Sequence, residues 1–390
     1  MELKEFKGEF FNRYGPGKAI MFFSPGRVNL IGEHTDYNGG LVLPCALSSG
    51  TYLIIRKTDA DLVKFRTVNF DDKNEIPLAD LDKKLDGGVW INYPLGVIAG
   101  FKKRGVSFAG MDLLFMGNIP IGAGLSSSAS LELVSSVAVN ELYSVGLDMV
   151  EMVKLSHTAE NEFVGVNCGI MDQFAVGMGK KDHAIALDCN TLNFEHIPVE
   201  INGYKLVIGD TKKRRGLAGS KYNERRAECD KAVELLCQKK GIRYLCELDM
   251  ETFREIRNLI PEGVVRKRVR HVISEHGRVL QAVKELKAGN AEAFGKLMNE
   301  SHDSLRDDYE VTGFELDTMV EEARKVEGVL GARMTGAGFG GCTVSLVKEE
   351  NIDIFYEQMG KAYKEKTGIT PEFYIADIGD GTRKLEEITG

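Results

Sequence analysis

Between Ile20 and about Asn202 the apolar positions come in short runs broken by turn residues, the pattern of strands rather than of helices. The clearest runs are LVLPCALSSGTYLIIRK (41–57), MDLLFMGNIP (111–120) and HAIALDCNTLNFEHIPV (183–199). Two stretches switch to helical spacing, Leu131 to Tyr143 and Val150 to Phe163, which predicts a mixed sheet carrying helices. Past the apolar run Lys205 to Gly209 the text becomes charged and helix-periodic, from Asn223 through Lys240 and from Arg270 through Gly289. Strand character returns at Cys342 to Val347 and Glu372 to Ile378. The pattern predicts an α+β chain of two lobes with a cleft between them. Residues 1–200 would hold the mixed sheet with helices, and residues 201–390 helices with a small antiparallel sheet.

Composition narrows the function classes. The hydrophobic share of 43% and charged share of 28% are those of a soluble globular enzyme or binding protein. A net charge of −8 and a pI near 5.6 argue against a nucleic-acid-wrapping role, which needs a basic face. The basic run Lys212, Lys213, Arg214, Arg215 reads as a solvated turn. Seven cysteines without Cys-x-x-Cys or zinc spacing indicate reduced thiols in the cytoplasm. The start MELKEFKGEF lacks the apolar core of a signal peptide, and no run approaches the roughly 18 apolar residues of a membrane span. The protein is expected to stay where it is made, without membrane or nucleic-acid partners; a monomer is the expected state.

Candidate chemistry begins at NIPIGAGLSSSAS (118–130). In the run that follows, Leu131, Val134, Ala138 and Leu142 share one helical face and Gly146 marks a stop, so a helix is predicted to start near Ser127. A helix start offers unpaired N–H groups and a positive dipole end, and thus binds anions. Gly122 and Gly124 would let a phosphate approach the backbone, while one of the serine hydroxyls caps the helix and another reaches the phosphate or its Mg²⁺. By itself the stretch fits an ordinary serine-capped helix equally well. It lacks the lysine of the common P-loop. GAGFGG (336–341) matches G-x-G-x-x-G, but the strand-like CTVSLV follows it where a dinucleotide site needs a helix, which leaves a tight turn near a ligand or a plain loop.

In SPGRVNLIGEHTDY (24–37), Arg27, Glu33, His34 and Asp36 gather hydrogen-bonding groups suited to a sugar; spacing alone also allows a metal site and favours a plain turn. Within NCGIMDQFAVGMG (167–179), Asp172 is the single ionisable group in apolar company, so it is either paired and buried or catalytic. Glu160 and Glu162, at the end of a helical run, offer a metal ligand or a solvated helix face.

Taken together, GRVNLIGEHTDYNGGLVLP, IPIGAGLSSSASLE, NCGIMDQF and MTGAGFGGC resemble, in this order, the GHMP kinases, a family of galactokinase, homoserine, mevalonate and phosphomevalonate kinases. GAGLSSSA marks the wider family and GEHTDY its galactokinase branch. The resemblance spans about Arg27 to Cys342, with no departure at a motif position. It implies a two-lobed fold and ATP-dependent phosphorylation of the C1 hydroxyl of galactose. It further implies that Asp172 faces that hydroxyl with Arg27 beside it, and that Glu33, His34, Thr35, Asp36, Gly169 and Tyr222 belong to the galactose site. The loop Gly122, Ala123, Gly124, Leu125, Ser126, Ser127, Ser128 would cradle the ATP phosphates, with Ser128 and Glu160 as Mg²⁺ ligands. Asn69 and Trp90 would lie near the adenine.

Phosphoryl transfer passes through a loose transition state in which positioning and electrostatics outweigh base strength. The aspartate therefore orients the anomeric hydroxyl first and accepts its proton late. A site built for the axial C4 hydroxyl would reject glucose, whose C4 group leaves polar partners unpaired. A silent sugar sensor of the same family would be expected to carry damage in the phosphate loop, whereas Ser126, Ser127, Ser128 and Ala129 are intact. N-acetylgalactosamine or a related sugar is the alternative acceptor.

Overall fold

The strand-rich text of the first half resolves into one large sheet and a small one, and the computed structural model describes residues 1–87, 89–120, 124–213 and 218–390. In chain order the strands are β1 (Lys18–Asn29), β2 (Leu41–Val42), β3 (Pro44–Thr58), β4 (Leu62–Thr67), β5 (Lys73–Pro77) and β6 (Gly110–Gly117). They continue as β7 (His183–Asp188), β8 (Phe194–Pro198), β9 (Tyr204–Asp210), β10 (Val329–Thr335), β11 (Cys342–Lys348), β12 (Glu372–Ile375) and β13 (Arg383–Thr389). The six-stranded sheet has the order β13-β1-β3-β6-β4-β5. It is mixed, because β4 runs parallel to β6 while its other pairs are antiparallel. A four-stranded antiparallel sheet, β10-β11-β9-β12, carries the second half, and β2-β7-β8 form a third sheet. The last strand returns to pair with β1, so both ends of the chain share the first sheet.

The helices are α1 (Leu3–Tyr14), α2 (Asn92–Lys103), α3 (Ser127–Leu142), α4 (Met149–Thr158) and α5 (Met171–Met178) in the first half. α6 (Ala218–Lys240), α7 (Met250–Ile256), α8 (Val264–Lys287), α9 (Ala291–Ser304), α10 (Phe314–Ala323) and α11 (Ile352–Thr367) follow. Both faces of the large sheet are covered, which is why LLFM in β6 is continuous rather than alternating. Leu113 and Phe115 meet Leu95, Ile98, Phe101 and Val134 of α2 and α3, while Leu114 and Met116 meet Phe6 and Phe10 of α1. Val28, Leu30 and Ile31, at and just beyond the end of β1, pack with Ile208, Val279, Phe294 and Val344, joining the two halves in one core.

The sequence pattern missed α2, which contains Pro94, Gly96 and Gly100. Pro94 sits in the first turn, where its missing N–H has no helical partner to lose. A side chain at Gly96 would come within 3.0 Å of Phe163, so close helix packing needs the glycine. The predicted helix 150–163 is α4 followed by one wide π turn, Ala159–Val164. α3 starts at Ser127 as the pattern predicts but ends at Leu142, before Gly146. Its buried surface is also broader than the predicted face, taking in Ser130, Glu132, Ser135 and Ser136. Of the basic run, Lys212 and Lys213 are exposed as expected, and they also form surface ion pairs, Lys212 with Asp210 and Glu372 and Lys213 with Glu315. Arg214 and Arg215 lie outside the described residues.

Candidate active site

At the far end of β1 the chain must pass beside the loop that leads into α3. Gly26 permits this, since an added Cβ would meet the Leu125 carbonyl oxygen at 2.7 Å. The next N–H, that of Arg27, donates to the same oxygen at 3.1 Å. The guanidinium, 4% exposed, then reaches three ways. Nη1 donates to the Gly124 carbonyl at 2.9 Å, while Nε and Nη2 each donate to one oxygen of Asp172 at 2.8 Å. Asp172 lies in the first turn of α5, where the positive dipole end favours a carboxylate. It also accepts a 2.5 Å hydrogen bond from the Ser126 hydroxyl. Its side chain is still 26% exposed, toward a cavity, so it is both paired and available.

That hydroxyl contact corrects the expected cap. Ser126 occupies the N-cap position of α3 in a left-handed conformation (φ 60°), yet makes no side-chain cap hydrogen bond. Ser127 is exposed, and Ser128 hydrogen-bonds to Glu160. Ser130 braces the helix start from behind, donating to the Ser24 carbonyl at 2.7 Å and contacting Thr51 at 2.9 Å. Leu125 turns into the core, while Gly122 and Ala123 lie outside the described residues.

Glu160 projects from the π turn and is 5% exposed. Burial and the nearby Asp172 charge push its carboxyl up to about 7, against hydrogen bonds from Ser128, Cys168 and Gln173. Gln173 Nε2 donates to Glu160 Oε2 at 2.5 Å and to Glu132 Oε2 at 3.0 Å. Glu132 is fully buried and is likewise raised, first by burial and then by Glu160.

A cavity of about 320 Å³ opens beside these groups, lined by Arg27, Glu33, His34, Asp36, Glu160, Gly169, Asp172 and Tyr222 among others. His34 sits at φ 64° with its ring 4.6 Å from Tyr309 and 5.6 Å from Tyr222. A relay of 2.8 Å contacts runs from its Nδ1 to the Tyr37 hydroxyl and on to the Tyr309 hydroxyl. Burial, then the neighbouring His271, lowers the His34 pKa to about 3, so the ring is neutral. Asp36 is pushed up to about 6 by burial and then by Asp172. Gly169 is needed beside it, because a Cβ there would fall 1.9 Å from Asp36 Oδ2. Glu33 is 1% exposed, ion-paired to Arg333 through Oε2, and accepts the Gly336 N–H at 2.9 Å through Oε1. The turn of GAGFGG thus lies against the cavity, and the strand β11 follows it.

The described loop residues Gly124, Leu125, Ser126, Ser127 and Ser128 are not among the residues lining the cavity, and Thr35, Asn69 and Trp90 stand apart from it. Thr35 is fully buried and donates to the carbonyls of Gly32 and Leu41, shaping the turn. Asn69 pairs its amide with both backbone groups of Gly117 at 2.8 Å, locking the end of β6. Trp90 donates from Nε1 to Asp72 at 2.6 Å and packs edge-on against Phe115. Sequence reasoning passed over Glu132, Gln173, Asn167, Cys168, Tyr309 and Arg333. Gln173 adjoins Asp172 in a motif already quoted, and Glu132 interrupts an apolar helix, the one local signal available.

Among the described residues no helix is long and apolar enough to cross a membrane. Residues 6–57 match the galactokinase galactose-binding signature, 92–180 the GHMP kinases N terminal domain and 282–365 the GHMP kinases C terminal. The chain is 52% identical to the galactokinase of Fusobacterium nucleatum, covering 98% of this chain and 99% of that one. It is 51% identical to the galactokinase of Clostridium beijerinckii over 97% and 98%. Among solved structures, Lactococcus lactis galactokinase complexed with galactose superposes with a TM-score of 0.96 at 45% identity, covering 98% of this chain and 100% of that one. Methanococcus jannaschii mevalonate kinase, at 22% identity and TM-score 0.66 over 94% and 100%, shares the fold.

Proposed function

Because the chain belongs to the galactokinase family of the GHMP kinases, we propose that it transfers the terminal phosphoryl group of ATP directly to the C1 hydroxyl of galactose, giving galactose 1-phosphate in the cytoplasm. The observation that carries this reading is the bidentate Arg27–Asp172 pair, which lines one cavity together with Glu160, His34, Asp36, Gly169 and Tyr222.

The fixed fork of Arg27 holds both Asp172 oxygens and Ser126 takes a second bond on Oδ2, which leaves Oδ1 with acceptor capacity to spare. Asp172 then receives the C1 hydroxyl, orients its oxygen for in-line attack and takes the proton late in the transfer. The cationic guanidinium would also stabilise the charge that builds on the transferring group. Neutral His34, Asp36 and Tyr222 supply sugar-hydroxyl partners, and an epimer that leaves one of them unpaired is rejected. The loop from Gly122 to Ser128 and the start of α3 receive the ATP phosphates, with Asn69 and Trp90 toward the adenine.

Mg²⁺ fits the donors present. Glu160 and Ser128 offer one carboxylate and one hydroxyl, all-oxygen ligands that leave positions for phosphates and water, as this ion prefers. Glu132 Oε1, an acceptor buried without a hydrogen-bond partner, lies in the same polar cluster. When bound, the ion neutralises phosphate charge.

The decisive experiment measures ADP release with MgATP and a sugar panel. Galactose should be turned over, with glucose and N-acetylgalactosamine far poorer. Binding of galactose and ATP without ADP release, or comparable specificity constants for galactose and either other sugar, would refute the reading.

A further inference from the structure

α3 and α5 approach each other behind the cavity, and their contact is polar where the rest of the core is apolar. Glu132 follows Ser128 by four residues on α3, so the two side chains stack on one helix face and both look toward the turn that bears Glu160. Gln173 follows Asp172 on α5, so its side chain leaves the cavity and enters the space between Glu132 and Glu160. Its amide nitrogen lies between two carboxylates, and an NH₂ group, with two protons to donate, satisfies both.

The cluster is expensive to bury and incompletely satisfied. Gln173 and Glu132 are fully buried, and Glu132 Oε1 and Gln173 Oε1 lack partners. Of the three neighbouring carboxyls, Asp172 has the Arg27 guanidinium, while Glu132 and Glu160 share only a neutral amide. Packing alone does not call for this, since an apolar trio of similar size would fill the same space. What the trio does is fix the direction of the Glu160 carboxylate. Ser128 and Cys168 hold it as well, and Gln173 holds it from behind, itself braced on Glu132.

We propose that Gln173 and Glu132 are positioning residues that aim the Glu160 carboxylate at the divalent cation of the bound nucleotide. Partners behind a metal ligand typically matter about 10–100-fold in metal affinity. The inference rests on the function proposed above, in which Glu160 and Ser128 meet that cation.

The test titrates Mn²⁺ into the full-length protein with a non-hydrolysable ATP analogue and galactose, reading free Mn²⁺ by its EPR signal. Gln173→Leu should weaken Mn²⁺ binding by about tenfold or more, and the near-isosteric Glu132→Gln should weaken it in the same direction by a smaller factor. Galactose affinity, measured by calorimetry without nucleotide, should stay within about twofold in both, which a merely structural role would not separate from metal binding. Unchanged Mn²⁺ affinity in folded variants overturns the proposal, and so does loss of galactose binding in both, since the pair would then hold the fold and not the ligand. Should only Gln173→Leu fail to fold, Glu132→Gln decides alone. Failure of the functional reading looks different: the unaltered protein would then release no ADP from galactose and MgATP.

Discussion

Two arginine–carboxylate groupings lie along the segment that leaves β1, and they are built to opposite ends. Arg27 holds Asp172 with a fork of 2.8 Å bonds, and that carboxylate stays 26% exposed. A few residues on, Glu33 pairs with Arg333 of β10, and both are sealed at 1% and 0% exposure. Arg333 also donates to the Asn29 and Leu30 carbonyls and to Ser301. Glu275 of α8 completes the sealed group, accepting from Gly32 N–H, Ser301 and Arg278. Burial alone would raise Glu275, but Arg278, His271 and Arg333 win and lower it to about 2. The open pair keeps acceptor capacity for a substrate proton. The closed group uses its donors on the chain itself, tying the turn of residues 29–36 to β10 and α8 so that His34 and Asp36 have a rigid mount.

Breaking each group should therefore fail differently. The largest effect is expected for Asp172→Asn, which keeps the shape and loses the proton acceptor. Turnover should fall by about a thousandfold or more, with galactose binding still measurable by calorimetry; near-normal turnover would remove Asp172 from its role. Next is Arg333→Met, which leaves Glu33 buried without its cation and Glu275 with Arg278 alone. It should cost about 3 kcal/mol or more of stability, read as a shifted urea midpoint, and an unchanged midpoint would mean the sealed group carries no weight.

Arg27→Lys keeps the charge and loses the fork. Its kcat/KM should fall by about ten- to a hundredfold while the urea midpoint moves little, the reverse of the Arg333 result.

The smallest effect concerns pH. Asp36 has its pKa raised from 3.8 to about 6, so between those values the folded protein holds a proton that the unfolded chain releases. Its contribution to stability is present at low pH and is lost as pH rises through about 6. His34 and His271, lowered to about 3 and about 4, work the other way, favouring the fold above their ordinary value of 6.5 and losing that as pH falls. Asp36→Asn should therefore lose stability more steeply on acidification from pH 6 to pH 4, by about 2 kcal/mol after allowance for its partial exposure. Parallel urea midpoints across that range would count against the buried-carboxyl account.

The two residues of the open pair stand out in the chain as candidates, their pairing being what the family resemblance implies, while little of the sealed group was legible. Arg27 and Asp172 sit in short motifs whose composition departs from their surroundings, as do the glycines and serines before α3. Arg333 and Glu275, by contrast, read as ordinary charged residues on a strand and a helix, because nothing nearby in sequence hints at burial. α3 illustrates the limit within a single element. Its start at Ser127 was readable from the glycine-to-apolar switch, but the Ser126 hydroxyl bonds Asp172 instead of capping, a choice set by a residue 46 positions away.

The sequence alone determined the local facts: where strands alternate with helices, and which motifs carry unusual groups. Only the tertiary structure decided which carboxylate stays open, which is sealed, and which is braced by Gln173. Charge and burial depend on partners brought in from 145, 243 and 300 residues away, and the free energy of a buried ion is a property of that assembled surrounding rather than of the residue itself.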